Sequence, residues 1–366
     1  MRVPVLFRVL SLVHSLNQGM AIRTMYRYAY FEPGGPEKLE IRSQELPTTV
    51  KDKHVLIKVF STAVNRADTL QRKGFYPPPP GESEILGLEA AGVVDKLGPN
   101  CSDRWKKGDR VMALLAGGGY AEYVTVHEDL LLNVPSNLNL TEAGGIPEVW
   151  LTAYQLLFFV GNVQPGDMVL IHAGASGVGT AAIQLTRHAG ATPLITAGSS
   201  AKIQTALDLG ASKGFNYKDG DFSKAVLEAT NGRGVDVILD CVGASFYEQN
   251  IDSIATDGRW VLYGLMGGGS INADIFSKLL KKRVSLLATL LRSRSREYKK
   301  KLISSFTEQI LPLFERGELK LTIDRVLPFD KVAEAHKLME SNTNTGKIIL
   351  KVHEENQSNL TQHEEL

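Results

Sequence analysis

At 366 residues, with 43% hydrophobic and 22% charged side chains, the chain has the size and composition of two ordinary globular domains, not of a disordered or fibrous protein. Lysine plus arginine (41) and aspartate plus glutamate (40) leave a net charge of +1, so neither a nucleic acid nor an anionic membrane is called for as a partner. No apolar stretch is long and charge-free enough to span a bilayer. The two cysteines, Cys101 and Cys241, cannot build a disulfide framework or a cysteine-rich zinc site, which favours a reducing compartment.

Residues 1–24 differ from the rest. They carry Arg2, Arg8 and Arg23, no acidic side chain, and apolar Val5, Leu6, Val9, Leu10, Val13 and Leu16. Two readings stay open: a mitochondrial targeting segment, or an unstructured extension ahead of a start at Met20 or Met25. The compartment expected is the cytoplasm, with the mitochondrion as the alternative. From Tyr26 to about Val134 the pattern is of strands, with alternating or β-branched runs at 55–59, 92–97, 110–114 and 120–126. Pro77 to Pro80 and Gly117 to Gly119 punctuate them. A helix over 148–159, closed by Gly161, follows.

From Met168 strands alternate with helices. Strands are expected at 169–171, 193–196, 214–216, 235–239, 260–263 and 284–287, and helices at 177–188, 202–209, 222–230, 246–254 and 276–281. This predicts an α/β architecture with a doubly wound parallel sheet whose short apolar strands are buried on both faces. The segment 260–263 is either a sheet edge able to pair with another subunit or an inner strand. Residues 277–301 hold ten basic side chains against the single acid Glu297; solvated helix faces and loop charges are favoured over a nucleic-acid patch. A long helix over 296–314 and a β-rich stretch, 321–326 with 346–352, return the chain to the first domain. The expected domains are 25–149 with 296–352, and 150–295, leaving a polar tail at 353–366.

The strongest local signal is Gly174-Ala175-Ser176-Gly177-Val178-Gly179, which follows a strand and opens a helix. Gly174 permits a tight turn, the small Ser176 lets the backbone approach a pyrophosphate, and Gly179 lets the helix pack on the sheet. An NAD site places an acid about 20 residues on, at the end of the second strand. Here that strand ends Thr196-Ala197-Gly198-Ser199, with Lys202 one turn later and Tyr217 ending the third strand. Gly198, Ser199, Lys202 and Tyr217 are therefore expected to hold the 2′-phosphate of NADPH.

Several further motifs occur in order. They are Asn65-Arg66-Ala67-Asp68 with Arg72, Gly74 and Tyr76; Gly87-Leu88-Glu89-Ala90-Ala91-Gly92; Gly166-Asp167; and the glycine turn leading to Gln184. Together they resemble the zinc-free quinone oxidoreductases, zeta-crystallin type, of the medium-chain dehydrogenase/reductase superfamily. The likeness covers about residues 25–352. Ile146-Pro147-Glu148-Val149-Trp150-Leu151-Thr152-Ala153 and Leu262-Tyr263-Gly264-Leu265-Met266-Gly267-Gly268-Gly269 point to one vertebrate branch of it. The resemblance implies a GroES-like catalytic domain beside a Rossmann domain, a cleft between them, a small-molecule quinone substrate and a homodimer or homotetramer. Gly144-Gly145 departs from the alanines frequent in relatives, which is expected to weaken a local helix. Zinc-dependent members carry a ligating histidine where this chain has Leu88, and their cysteine ligands have no counterpart.

The expected reaction is NADPH-dependent, zinc-independent reduction of quinones, ortho-quinones foremost. The alternatives are an enoyl or enone reductase on the same fold and a largely non-catalytic NADPH-binding protein. Tyr76, held before four prolines, is the first catalytic candidate, through a hydrogen bond to the reducing oxygen or the nicotinamide amide. Asn65 is expected to bond the nicotinamide ribose, as the resemblance implies. Asp68 and Arg72 are read as an i,i+4 helical ion pair. Val242, Gly243, Leu265, Met266 and Gly267 follow the fourth and fifth strands of the sheet, where ligands bind.

Overall fold

The computed structural model describes residues 24–355, so the targeting call on residues 1–24, but for the last of them, and the expected tail, but for 353–355, lie outside the described residues. The chain begins with the antiparallel pair β1 (Met25–Phe31) and β2 (Leu39–Glu45). It continues through β3 (His54–Val64), helix α1 (Arg66–Arg72), β4 (Glu89–Leu97), β5 (Arg110–Leu114), β6 (Tyr123–His127) and β7 (Leu131–Asn133). These strands pair antiparallel around β3, which is flanked by β4, β6 and later β15. Their inward residues form one core, with Ile57, Val59, Ala90, Val111 and Tyr120 all fully buried.

Short helices α2 (Leu140–Ala143) and α3 (Pro147–Tyr154) lead onward. The helix expected over 148–159 is present as a continuous helical run over 147–160, but only its first half is α-helical. After Tyr154 it widens into a π-helical stretch, Gln155–Val160, closed by a bond from the Gly161 N–H to the Leu156 carbonyl. Gly144 and Gly145 do not weaken a helix, contrary to expectation, because they form the turn between α2 and α3. A Cβ on Gly144 would overlap the Ser61 hydroxyl, and one on Gly145 would stand 2.8 Å from Ile349 Cδ1.

Six parallel strands follow: β8 (Met168–Ile171), β9 (Thr192–Ala197), β10 (Lys213–Asn216), β11 (Val235–Asp240), β12 (Ile254–Leu262) and β13 (Ser285–Ala288). Their order is β10-β9-β8-β11-β12-β13. Helices α4 (Gly177–His188), α5 (Ser200–Asp208), α6 (Phe222–Ala229), α7 (Tyr247–Ser253) and α8 (Ile275–Lys282) connect them. The sheet separates two cores, which is why its strands show no alternation of polarity. Val169, Ile171, Val237 and Leu239 face one core, whereas Leu170 and Ile238 face the other. Of the segment 260–263, residues 260–262 lie on β12, an inner strand between β11 and β13, and Tyr263 follows it.

The helix expected over 296–314 is broken. It runs as α9 (Arg296–Gln309) and α10 (Leu311–Glu315), because Pro312 has no N–H to continue the ladder. β14 (Ile323–Pro328), α11 (Val332–Glu340) and β15 (Lys347–Lys351) then join the first sheet, β15 lying antiparallel to β3. This is an α/β fold of a GroES-like domain joined to a Rossmann-type parallel sheet.

Candidate active site

The strand order of the parallel sheet reverses between β8 and β11, the place where such sheets bind ligands. A cleft of about 700 Å³ opens there. One wall consists of strand ends: Ala175 to Val178 after β8, Ala197 to Ser199 after β9, Tyr217 and Lys218 after β10, Cys241 after β11, and Tyr263 and Met266 after β12. The opposite wall comes from the ends of β3 and β15 and the helices and loop beside them: Val64 to Arg66, Val149, Met339, Ser341 to Asn344, Gly346 and Lys347. The two walls touch where the Gly346 N–H donates to the Ala175 carbonyl at 2.7 Å.

The glycine turn differs in detail from the expectation. Ala173, not Gly174, takes the left-handed conformation, with φ 51°. Gly174 is required by packing, since a Cβ there would stand 2.5 Å from Ile195 Cβ of β9. At Gly179 a Cβ would stand 2.6 Å from the Gly174 carbonyl oxygen, so the helix rests directly on the turn. The Ser176 hydroxyl accepts from the Gly179 N–H at 3.0 Å and caps α4. The first turn of α4 therefore opens on the cleft, the arrangement that receives a phosphate at a helix N-terminus.

One end of the cleft is cationic. Lys202 Nζ donates to the Asn342 carbonyl at 2.6 Å, and Arg66 donates to the Met339 carbonyl at 2.7 Å and to Asn342 Oδ1. Lys218 stands close enough to be felt by Lys202, as do Arg66 and the carboxylate of Asp324. Burial holds both the Lys202 ammonium and the Arg66 guanidinium below their ordinary pKa values. The Ser199 hydroxyl caps α5, and at Gly198 a Cβ would stand 2.6 Å from the Tyr217 hydroxyl. Gly198 thus lets the tyrosine close over the strand end. Lys218 and the loop from Ser341 to Gly346 carry no local motif, so sequence reasoning missed them, and Arg66 stood inside the Asn65-Arg66-Ala67-Asp68 motif without being given a role.

The opposite end is built on buried charge. Lys347 Nζ lies 2.7 Å from Glu89 Oε1 and 2.8 Å from Asn65 Oδ1, while Asn65 Nδ2 donates to Glu89 Oε1 at 2.9 Å. Asn65 lines the cleft, but both ends of its amide are already engaged by this ion pair. Asp68 does not pair with Arg72. Its carboxylate accepts from the N–H groups of Asn65 (2.8 Å) and Gly87 (3.0 Å) and from the Tyr120 hydroxyl (3.2 Å). Arg72 pairs instead with Glu340 of α11. Burial pushes Asp68 up to about 6.

Tyr76 is not among the residues lining this cleft. Its ring lies 5.3 Å beneath the Arg292 guanidinium, and its hydroxyl makes no hydrogen bond among the described residues. Arg292, buried, donates to the Ala116 carbonyl and Gln71 Oε1. Glu148 stands near enough to act on both Tyr76 and Arg292 electrostatically. Val242 and Gly243 donate their N–H groups to Asp240 Oδ1, and the Gly267 N–H donates to the Val242 carbonyl, so the two strand-end loops lock together. Leu265 and Met266 are left exposed at their tip.

The basic stretch is largely spent on the protein itself. Lys282 bonds the carbonyls of Ile251, Asp252 and Ile254, Arg283 pairs with Asp257, Lys299 bonds the Arg292 carbonyl, and Lys300 pairs with Asp129. Leu88 is buried, and among the described residues no three His, Cys, Asp or Glu side chains gather to hold a metal ion.

The fold and cleft define a two-domain oxidoreductase, and the chain belongs to the medium-chain dehydrogenase/reductase superfamily. Residues 51–136 match the alcohol dehydrogenase GroES-like domain, and residues 177–308 match the zinc-binding dehydrogenase family. Human quinone oxidoreductase is 32% identical over 322 residues, covering 87% of this chain and 95% of its own. The human synaptic vesicle membrane protein VAT-1 homolog is 31% identical, covering 87% of this chain and 84% of its own. Among solved structures, an NAD-dependent alcohol dehydrogenase superposes with TM-score 0.80 at 32% identity, covering 90% of this chain and all of its own. A mycobacterial protein complexed with NADPH gives 0.80 at 28%, covering 89% of this chain and all of its own. CurK enoyl reductase gives 0.78 at 26%, covering 89% and 99%.

Proposed function

We propose that this chain is an NADPH-dependent, zinc-independent quinone reductase. The observation that carries the cofactor choice is the cationic end of the cleft. There β9 ends in Gly198-Ser199 without an acid, and Lys202, Lys218 and Arg66 gather. A ribose 2′-phosphate fits three cations and would be repelled by the carboxylate of an NAD site. The pyrophosphate would lie on the Ser176-Gly177-Val178 turn at the start of α4, with Tyr217 and Ser199 toward the adenosine ribose. When bound, NADPH supplies the hydride. The protein's own part is to orient the acceptor, exclude water and place a proton donor at the reducing oxygen.

The quinone assignment rests on human quinone oxidoreductase as a relative and on Leu88 in place of a metal-ligating histidine. An alcohol or ketone reductase benefits from a Lewis acid at the developing alkoxide. A quinone yields a stabilised aromatic oxyanion and needs that help least. Tyr76, whose ring lies under Arg292 and whose hydroxyl has no hydrogen-bond partner among the described residues, is the proposed contact to the acceptor. CurK enoyl reductase favours a second reading, hydride addition to an activated C=C bond. A panel of ortho-quinones, 2-enones and enoyl thioesters separates the two by kcat/KM.

The proposal extends to assembly. β13 ends the parallel sheet, and Leu286 on it, Leu290 beyond it, and Phe276 and Leu280 of α8 are exposed. An open apolar edge of this kind pairs readily with a second copy of the same strand. Two cysteines without a disulfide and the proposed cofactor support a reading in which the enzyme works in a reducing compartment, the cytoplasm first.

A further inference from the structure

Glu148 occupies the first turn of α3, one residue before Val149, which lines the cleft and packs on the glycine turn. Its backbone N–H donates to Glu89 Oε2 at 2.9 Å, which fixes that turn against the buried Lys347–Glu89 pair. Its carboxyl group makes no hydrogen bond and no ion pair among the described residues. The neighbouring buried carboxylates, Glu89 and Asp68, are both fully engaged. Glu148 is half-buried, and of these three acids it alone has a carboxyl group with no protein partner among the described residues, which leaves it available to a ligand beside the cleft.

We propose that Glu148 is the acid that protonates the reducing oxygen of the acceptor, with Tyr76 and Arg292 placing that oxygen beside it. The proposal rests on the quinone-reductase reading above. Two-electron reduction adds one hydride and one proton. The hydride comes from the reduced cofactor. The hydride's C–H bond breaks as that hydrogen and its electron pair pass to one carbonyl oxygen of the acceptor. The proton leaves Glu148 Oε as the O–H bond at the other oxygen forms. The products are a hydroquinone, the oxidised cofactor and a Glu148 carboxylate that regains a proton from water.

The surroundings of Glu148 suit this role. Glu89 of β4, Lys347 of β15, Asp68 of α1 and Lys299 of α9 all act on it, as do Tyr76 and Arg292 from their loops. The cations among them are committed elsewhere: Lys347 to Glu89, Lys299 to the Arg292 carbonyl, and Arg292 to Ala116 and Gln71. None forms an ion pair with Glu148 among the described residues, and Lys347 and Lys299 offset its burial only in part. Burial first, and the Glu89 carboxylate second, raise Glu148 to about 8. It therefore carries its proton at neutral pH, close to the optimum for a general acid working there.

The test compares the full-length protein with Glu148→Gln and Glu148→Asp, by steady-state kinetics against pH and by thermal unfolding without cofactor. At pH 7 the Gln variant should lose kcat by about 100-fold, the low end of general-acid contributions, with KM moving by less than about threefold. Wild-type kcat should fall above pH about 8, a limb absent in Glu148→Gln and restored in Glu148→Asp. Unfolding reads the same proton without turnover. The folded protein keeps a proton that the unfolded chain releases above 4.5, so wild-type stability should decline relative to Glu148→Gln as pH rises from 4.5 to about 8. Wild-type quinone turnover with unchanged kcat and the same pH limb in Glu148→Gln overturns the acid and leaves the quinone reading standing. A stability gap that does not vary with pH also overturns it. No wild-type turnover of quinones removes the quinone reading and the proposal together.

Discussion

Lys347 Nζ lies 2.7 Å from Glu89 Oε1, with both side chains almost wholly out of water. The pair ties β15 near the chain's end to β4, and Asn65 at the head of α1 bonds both partners. Such a pair adds little against apolar substitutes but is costly to break from one side. Glu89→Ala, which strands an ammonium in the core, should destabilise the fold by about 3–5 kcal/mol in urea unfolding. The double change Glu89→Leu with Lys347→Met should cost less than that single change.

Lys202 reports the cofactor choice. Among the described residues its ammonium makes one hydrogen bond, to the Asn342 carbonyl, and it feels Asp324 as well as Lys218 and Arg66, so little in the fold depends on its charge. Lys202→Ala should raise the KM for NADPH by roughly 10- to 100-fold, the value of one hydrogen bond to a charged group. The KM for NADH should stay within about twofold. Parallel titrations of both cofactors check this.

Gly179 separates a binding defect from a surface effect. Its Cβ would meet the Gly174 carbonyl oxygen at 2.6 Å, so Gly179→Val must push α4 off the turn. We expect a stability loss of about 1–3 kcal/mol, typical of overpacking. NADPH binding by calorimetry should disappear while far-ultraviolet circular dichroism keeps the α/β signature.

Tyr76 carries two separable roles, a hydroxyl and a ring under Arg292. Tyr76→Phe should lower quinone kcat/KM by about 3- to 10-fold, the value of one neutral hydrogen bond. Tyr76→Ala should lower it further, because the guanidinium also loses its aromatic support. Equal turnover by wild type and both variants would remove Tyr76 from the site.

The open edge at β13 predicts association. Leu286→Lys combined with Phe276→Glu places charge on the apolar face and should shift the protein to monomer in sedimentation velocity. NADPH affinity should be retained, since neither residue lines the cleft.

Much of the fold was legible because its signals are local. β8 and β11 are apolar on both faces, and the glycine turn joins strand to helix within six residues. Position 198 announced its small side chain for the same reason. What escaped is tertiary. Helical spacing places Asp68 near Arg72, yet Asp68 serves Gly87 and Tyr120, while Arg72 finds Glu340. No periodicity brings residues 268 positions apart together. One signal was available and unused: Lys347 precedes Ile348-Ile349-Leu350, and Glu89 precedes Ala90-Ala91, so each is a charge at the mouth of an apolar strand. Charges so placed need a buried partner, and these two are each other's.

The central claim is most directly tested by oxidation of NADPH and of NADH, side by side, with 1,2-naphthoquinone in the presence of a chelator. The account predicts chelator-resistant turnover with NADPH strongly preferred. Turnover abolished by the chelator, or equal with the two cofactors, would contradict it.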